Sequence, residues 1–163
     1  MSGVEYFDAR SFYGTAISNN DFSDAIEIGD NAFYNCLNIS GTVSLPNAVQ
    51  IYSGAFYVPT ETENGSALTG NITAVELGDK LVGLGGGAFF NSRIRTIHLP
   101  ASLEIIGSPA FAGCSGLLQI TVDEANETFF VDASYGGLYR YLENGTYELF
   151  YVRNGLQIRE VGE

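Results

Sequence analysis

Apolar residues recur along this chain at fixed distances from four Ala-Phe pairs: Ala32-Phe33, Ala55-Phe56, Ala88-Phe89 and Ala110-Phe111. Successive phenylalanines are 23, 33 and 22 residues apart. Five residues before each stands Ile28, Ile51, Leu84 or Ile106, and eight before stands Ala25, Ala48, Leu81 or Leu103. Further back lie short runs in which apolar and polar residues alternate: Val43-Ser44-Leu45, Val75-Glu76-Leu77 and Ile97-His98-Leu99, with Ile120-Thr121-Val122 after the last pair. A period of two over so few residues predicts a short strand with one face in and one face out. Turn formers such as Gly29-Asp30-Asn31 and Gly107-Ser108-Pro109 precede Ala-Phe. One such unit cannot bury its own apolar face, whereas stacked units bury a continuous one, each strand pairing in parallel with the next. The pattern therefore predicts a right-handed solenoid of about four to five turns with little helix. Phe33, Phe56, Phe89 and Phe111 should form one buried column, with Ala beside each because a larger side chain would not fit.

The unit is clearest from Ile94 to Phe111 and on to Leu117. It reads Ile-x-Leu-Pro, then Leu-x-x-Ile-Gly-x-x-Ala-Phe, then Cys-x-x-Leu. This resembles the BspA-like (Treponema-type) leucine-rich repeat over roughly residues 25–122, most closely at 94–122 and least at 56–89. Tyr52 departs from the pattern by replacing a Gly, and Pro59 and Ser92 stand where the repeat prefers Cys. The resemblance implies a leucine-rich-repeat solenoid, a β/α superhelix of short parallel strands. It also implies a bacterial protein that is exported or held at the cell surface, whose strand face serves adhesion or recognition.

The whole of residues 1–163 reads as a single domain. Residues 1–24 are aromatic and irregular, and Phe12 lies 21 residues before Phe33, so they read as a degenerate repeat that caps the open end. Residues 25–122 hold the repeats, with a polar, turn-rich insertion at 58–71 that predicts a loop on one face. Residues 123–163 read as a C-terminal cap. Within it, Leu138–Leu142 and Tyr147–Val152 flank Asn144-Gly145, a strong hairpin signal. A two-residue loop there would pair Leu142 with Tyr147 and Tyr139 with Phe150. Gly137-Leu138-Tyr139 also resembles the Gly-Val-Leu-Tyr element that follows repeats in this family.

Charge narrows the function. The formal net charge is −12, from 19 acidic and 7 basic residues. That argues against nucleic acid, which needs clustered Lys and Arg, and against anionic membranes. No apolar run is long enough to span a bilayer. The start, Met1-Ser2-Gly3-Val4-Glu5, lacks the basic and apolar regions of a signal peptide. An intracellular protein or a trimmed piece of an exported one is expected, and the resemblance favours the second.

The search for chemistry finds little. Cys36 and Cys114 each follow an Ala-Phe phenylalanine by three residues, so they occupy equivalent sites three intervals apart. Strand spacing puts them about 14 Å apart, too far for a disulfide. Two buried free thiols are expected. Asp21, Asp24, Glu27 and Asp30 recur at spacing three without a calcium-loop pattern and read as a solvated edge. Gly83-Leu84-Gly85-Gly86-Gly87 has no following Lys-Ser/Thr and reads as a turn, not a phosphate loop. His98 is the sole histidine, so neither a metal site nor a nucleophile–base pair is indicated. Asn-x-Ser/Thr sequences occur at Asn38, Asn64, Asn71, Asn126 and Asn144 and matter only in a eukaryotic secretory route. No metal or other cofactor is expected.

What remains is a surface. Strand alternation predicts two outward rows, Ser44, Glu76, His98 and Thr121, and Thr42, Ala74, Thr96 and Gln119. The expected function is a non-enzymatic protein-binding or adhesion module, monomeric, with an extracellular or host protein as partner. The alternatives are a structural spacer within a larger surface protein or a carbohydrate-binding or hydrolytic domain. A competing contact surface is the 58–71 loop with the aromatic hairpin, through Tyr139, Tyr141 and Phe150. The column of phenylalanines gives a direct test: Phe111→Ala should lower unfolding free energy in a urea melt by roughly 3–5 kcal/mol. A loss below about 1 kcal/mol would remove Phe111 from the core.

Overall fold

The structure, a computed structural model, describes residues 2–132, 134 and 136–151. The chain passes through β1 (Tyr6–Phe7), β2 (Glu27–Ile28), β3 (Ser40–Leu45), β4 (Gln50–Ile51), β5 (Asn71–Leu77) and β6 (Gly83–Leu84). It continues through β7 (Thr96–Leu99), β8 (Ile105–Ile106) and β9 (Gln119–Val122) to β10 (Phe129–Val131), β11 (Leu138–Tyr141) and β12 (Tyr147–Tyr151). No helix occurs among the described residues. The architecture is that of a leucine-rich-repeat solenoid whose units are strands joined by turns.

β1, β2, β4, β6 and β8 form one parallel five-stranded ladder in that order. Each rung sends one apolar residue inward, and Phe7, Ile28, Ile51, Leu84 and Ile106 are all buried. The longer strands line a second side, β3 pairing with β5 and β7 with β9, all parallel. β5 and β7 meet through Arg93 N–H donating to the Ile72 carbonyl at 2.9 Å, without a continuous ladder between them. Gly83-Leu84, expected as turn, is itself a rung of the five-stranded ladder. Only the rest of that glycine run turns toward Ala88-Phe89.

The Ala-Phe segment closes each unit and couples it to the next. The N–H of Phe12, Phe33 and Phe56 donates to the carbonyl of Ala32, Ala55 and Ala88, each at 2.8 Å. Two residues before Phe12, Phe33, Phe56 and Phe89 the backbone turns left-handed, at Arg10, Asn31, Gly54 and Gly87. Gly and Asn tolerate that region at least cost, which is why turn formers stand there. The rings follow: Phe12 stacks on Phe33 at 5.2 Å, Phe33 on Phe56 at 5.2 Å and Phe56 on Phe89 at 5.4 Å, nearly parallel in every case. Phe33, Phe56, Phe89 and Phe111 are all buried, as are their four Ala neighbours. Phe12, in the segment read as a degenerate repeat, extends the column by one ring.

Tyr52 stands where the pattern has Gly, level with Gly29 and Gly85 of the flanking units, and is 39% exposed. At Gly29 the space is closed: a Cβ there would lie 2.6 Å from the Phe7 carbonyl oxygen.

The insertion is an ordered excursion. Glu61 and Ala67 form an antiparallel bridge, and the Leu68 N–H donates to the Thr60 carbonyl at 2.7 Å. Asn91 holds its base, donating from Nδ2 to the carbonyls of Pro59 and Leu68, both at 3.0 Å. Asn91 is itself left-handed and buried.

The cap begins at Asn126. It stands where Leu103 stands one unit earlier, and Phe129 stands where Ile106 does. Asn126 donates to the Pro100 and Leu103 carbonyls at 2.7 and 3.0 Å and accepts from the Thr128 and Phe129 N–H groups at 2.9 and 2.7 Å. This buried side chain therefore cannot serve as a glycosylation acceptor in the folded chain. Beyond it β10, β11 and β12 form an antiparallel sheet.

The hairpin differs from expectation by one residue. Tyr141 pairs with Tyr147 and Tyr139 with Leu149, and a bulge follows before Leu138 pairs with Tyr151. Leu142 does not pair with Tyr147, nor Tyr139 with Phe150. The reason is the loop: Leu142 donates to the Thr146 carbonyl, leaving three residues, Glu143-Asn144-Gly145, with Gly145 left-handed at φ 80°. A three-residue loop with Gly in that region is a standard alternative to the two-residue turn. Residues 152–163 of the expected cap, including the expected strand end Val152, lie outside the described residues.

Asn91→Gly keeps the backbone conformation and removes the amide. It should cost about 1–3 kcal/mol, the range for two lost hydrogen bonds at a buried site. The 60–68 segment should then become the first site of limited proteolysis, ahead of any cleavage in the rungs.

Candidate recognition surface

The strand face carries both predicted rows. Ser44 lies opposite Glu76 and Thr42 opposite Ala74, while His98 lies opposite Thr121 and Thr96 opposite Gln119. Thr42, Glu76, Thr96, His98, Gln119 and Thr121 are exposed, and Ser44 and Ala74 half-buried. Their strand neighbours Val43, Leu45, Val75, Ile97 and Leu99 are buried. Asp21 extends the first row, bridging to Ser44 in parallel. Its carboxylate accepts the Ser23 N–H at 2.9 Å, and that bond lowers its pKa.

His98 Nδ1 lies 3.0 Å from Thr121 Oγ1, which also lies 3.5 Å from the Ile97 carbonyl. Among the described residues no group of three or more His, Cys, Asp or Glu is placed to hold a metal ion.

The competing surface lies on the cap. Phe130, Tyr139, Tyr141 and Tyr147 form one aromatic cluster, with Phe130 4.6 Å from Tyr141 and 5.3 Å from Tyr147. Tyr141, Tyr147 and Leu149 are 49, 61 and 44% exposed. On the other side of this sheet Phe129 and Leu138 are buried, and Arg140 pairs with Glu148 at 2.5 Å. The one-residue register shift brings Leu149, not Phe150, opposite Tyr139. Between the cap and β9 lies a cleft of about 670 Å³. The 58–71 loop is exposed at its tip and makes no part of this cleft.

Residues 1–64 and 66–136 match the model of the BspA type leucine-rich repeat region, in six copies. No curated protein matches the chain. Among solved structures, a leucine-rich cell surface protein from Faecalibacterium prausnitzii A2-165 superimposes with a TM-score of 0.52 at 22% identity, 92% of this chain covering 50% of that one. A leucine-rich repeat protein from Eubacterium ventriosum ATCC 27560 has a TM-score of 0.49 at 19% identity, 74% of this chain covering 36% of that one. The chain thus spans half the length of the first.

Two ladders run beside the phenylalanine column. The equivalent positions of the cysteines in one are legible in the sequence, and the tyrosines of the other were not read from it. Tyr13, Tyr34, Tyr57 and Phe90 stack at 4.5, 5.1 and 4.3 Å, half-buried apart from the exposed Tyr13. The signal was present as an aromatic residue directly after Phe12, Phe33, Phe56 and Phe89. Because each ring covers its neighbour's face, the stack presents edges rather than platforms. Burial raises the Tyr34 pKa above its ordinary 10.0, and the neighbouring Tyr13 and Tyr57 add to the shift.

The second ladder is polar. Cys36 Sγ donates to the Phe12 carbonyl at 2.9 Å, and Cys114 Sγ to the Phe89 carbonyl at 3.2 Å, beside Ser92 Oγ at 3.2 Å. Both thiols are free and buried. Burial raises the Cys114 pKa above 9.0, partly offset by Ser92. Unfolded, Cys114 and Tyr34 lose their protons first, so folding stability should hold below about pH 9 and fall above it. Urea midpoints measured from pH 7 upward check this, and Cys114→Ser should remove the earlier part of the fall.

Proposed function

Since the chain belongs to the BspA-type leucine-rich repeat family, we propose that it is a non-enzymatic protein-binding module of a bacterial cell-surface or secreted protein. Its partner class is an extracellular or host protein, and its recognition surface is the strand face. The observation that carries this reading is the outward row made of two registered pairs, Ser44 with Glu76 and His98 with Thr121, of which Glu76, His98 and Thr121 are exposed. Its side chains take no part in the core, while their strand neighbours Val43, Leu45, Val75, Ile97 and Leu99 are buried and Leu77, Ile120 and Val122 half-buried. A flat face of small polar groups with one carboxylate and one imidazole suits a protein surface more than a small molecule, which needs a concave, mostly apolar pocket. The solved relative named as a cell surface protein supports the location.

The test is a binding screen of the whole chain against extracellular and host proteins, repeated with Glu76→Arg plus His98→Glu. The double variant should melt within about 0.5 kcal/mol of the parent, as exposed substitutions do. It should lose at least about tenfold in affinity, the effect of reversing charge at a contact. A variant that binds as tightly as the parent would move recognition off the strand face. A chain that binds no protein while melting normally would be a spacer.

A further inference from the structure

The two ends of the strand face are finished differently. At the N-terminal end Asp21 bridges to Ser44, and the Asn20 side-chain amide binds both the N–H and the carbonyl of Ser40. That edge is closed. At the other end β9 pairs, among the described residues, with β7 alone. Gln119 and Asp123 turn their N–H groups back to the Arg95 and Leu99 carbonyls, at 3.2 and 2.9 Å. In a parallel pair alternate residues face opposite ways, so Ile120 and Val122 turn their backbone N–H and C=O away from β7. Among the described residues no strand takes them up.

This open edge forms one wall of the cleft of about 670 Å³. Phe130 and Tyr141 line it, together with the acidic residues Asp123, Glu124 and Asp132. No Lys, Arg or His lines it among the described residues. An unpaired strand edge is a template for an incoming chain, and aromatic faces beside carboxylates attract cationic side chains.

We propose that this cleft takes an extended, lysine- or arginine-bearing segment of a partner protein, which adds as a strand to the free edge of β9. The charge of the site selects the occupant, because a basic segment meets carboxylates and rings there while an acidic one meets only repulsion. The proposal rests on the protein-binding reading of the chain but uses residues outside the strand-face row, so the two fail separately.

The experiment uses the full chain and a fluorescein-labelled peptide of alternating Lys and Val, followed by anisotropy. Controls are the Glu–Val counterpart and the Lys–Val peptide N-methylated at alternate residues, which keeps the charge and removes the strand bonds. The Lys–Val peptide should bind saturably. N-methylation should weaken it at least about tenfold, and Glu124→Lys or Tyr141→Ala by about five- to tenfold, with melts unchanged. Glu76→Arg plus His98→Glu should leave it unaltered.

Absence of saturable binding overturns the proposal, as does equal binding of the Glu–Val peptide or indifference to both cleft variants. Hydrogen exchange supplies a further arm. If the Ile120 and Val122 amides are protected in the unliganded chain, the edge is already filled, and the proposal falls. Protection that grows with concentration would then name a second copy, and protection that does not would name the chain's own later residues. Loss of a protein partner in the strand-face variant, with peptide binding retained, would leave both readings standing.

Discussion

Every feature of this molecule depends on one repeated distance, the advance from a unit to the next. Ring centroids in the phenylalanine column step by 5.2 to 5.4 Å, and each ring covers the face of the one before. That advance is close to the spacing of hydrogen-bonded strands, about 4.8 Å. The same step therefore satisfies the backbone at β1, β2, β4, β6 and β8 and packs the side chains behind them. It also sets what is forbidden. Where adjacent backbones approach closely, at Gly29, Gly78, Gly85 and Gly107, an added Cβ would strike main-chain atoms of the previous unit. Removing an inner ring takes one stacked face from each of its two neighbours, so a local loss is felt beyond its own unit.

Much of this was legible because the period is carried by several positions at once. Ala-Phe, the apolar residues five and eight places earlier and the alternating runs agree on the same units. The outward rows followed from alternation alone, and Ser44 with Glu76 and His98 with Thr121 fall in register. Whether that face binds a partner is a separate matter from its geometry.

The less legible parts share a cause: they depend on contacts between units that no single unit displays. Asn91 clamps a loop whose two ends lie 32 and 23 positions earlier in the sequence. Asn126 was read only as a sequon, although its spacing from Val122 repeats that of Leu103 from Leu99. Its amide stops the apolar column and turns the chain into the cap. The hairpin register could not come from Asn144-Gly145 alone, because both two- and three-residue loops accommodate Gly there. The tyrosine ladder was hidden in plain view, since an aromatic after Phe looks like composition until the units are stacked.

The clamp at Asn91 separates two properties that usually trade against each other. Because its amide ties Pro59 to Leu68, the rungs on either side keep their spacing regardless of what lies between. Lengthening a closed loop costs little, roughly 0.6 kcal/mol for each doubling. Residues 61–67 are thus a place where sequence and length can drift, or be exchanged for another peptide, while the scaffold stays constant. In evolutionary terms the fold offers a variable display element on an invariant frame, with a single asparagine as the boundary between them.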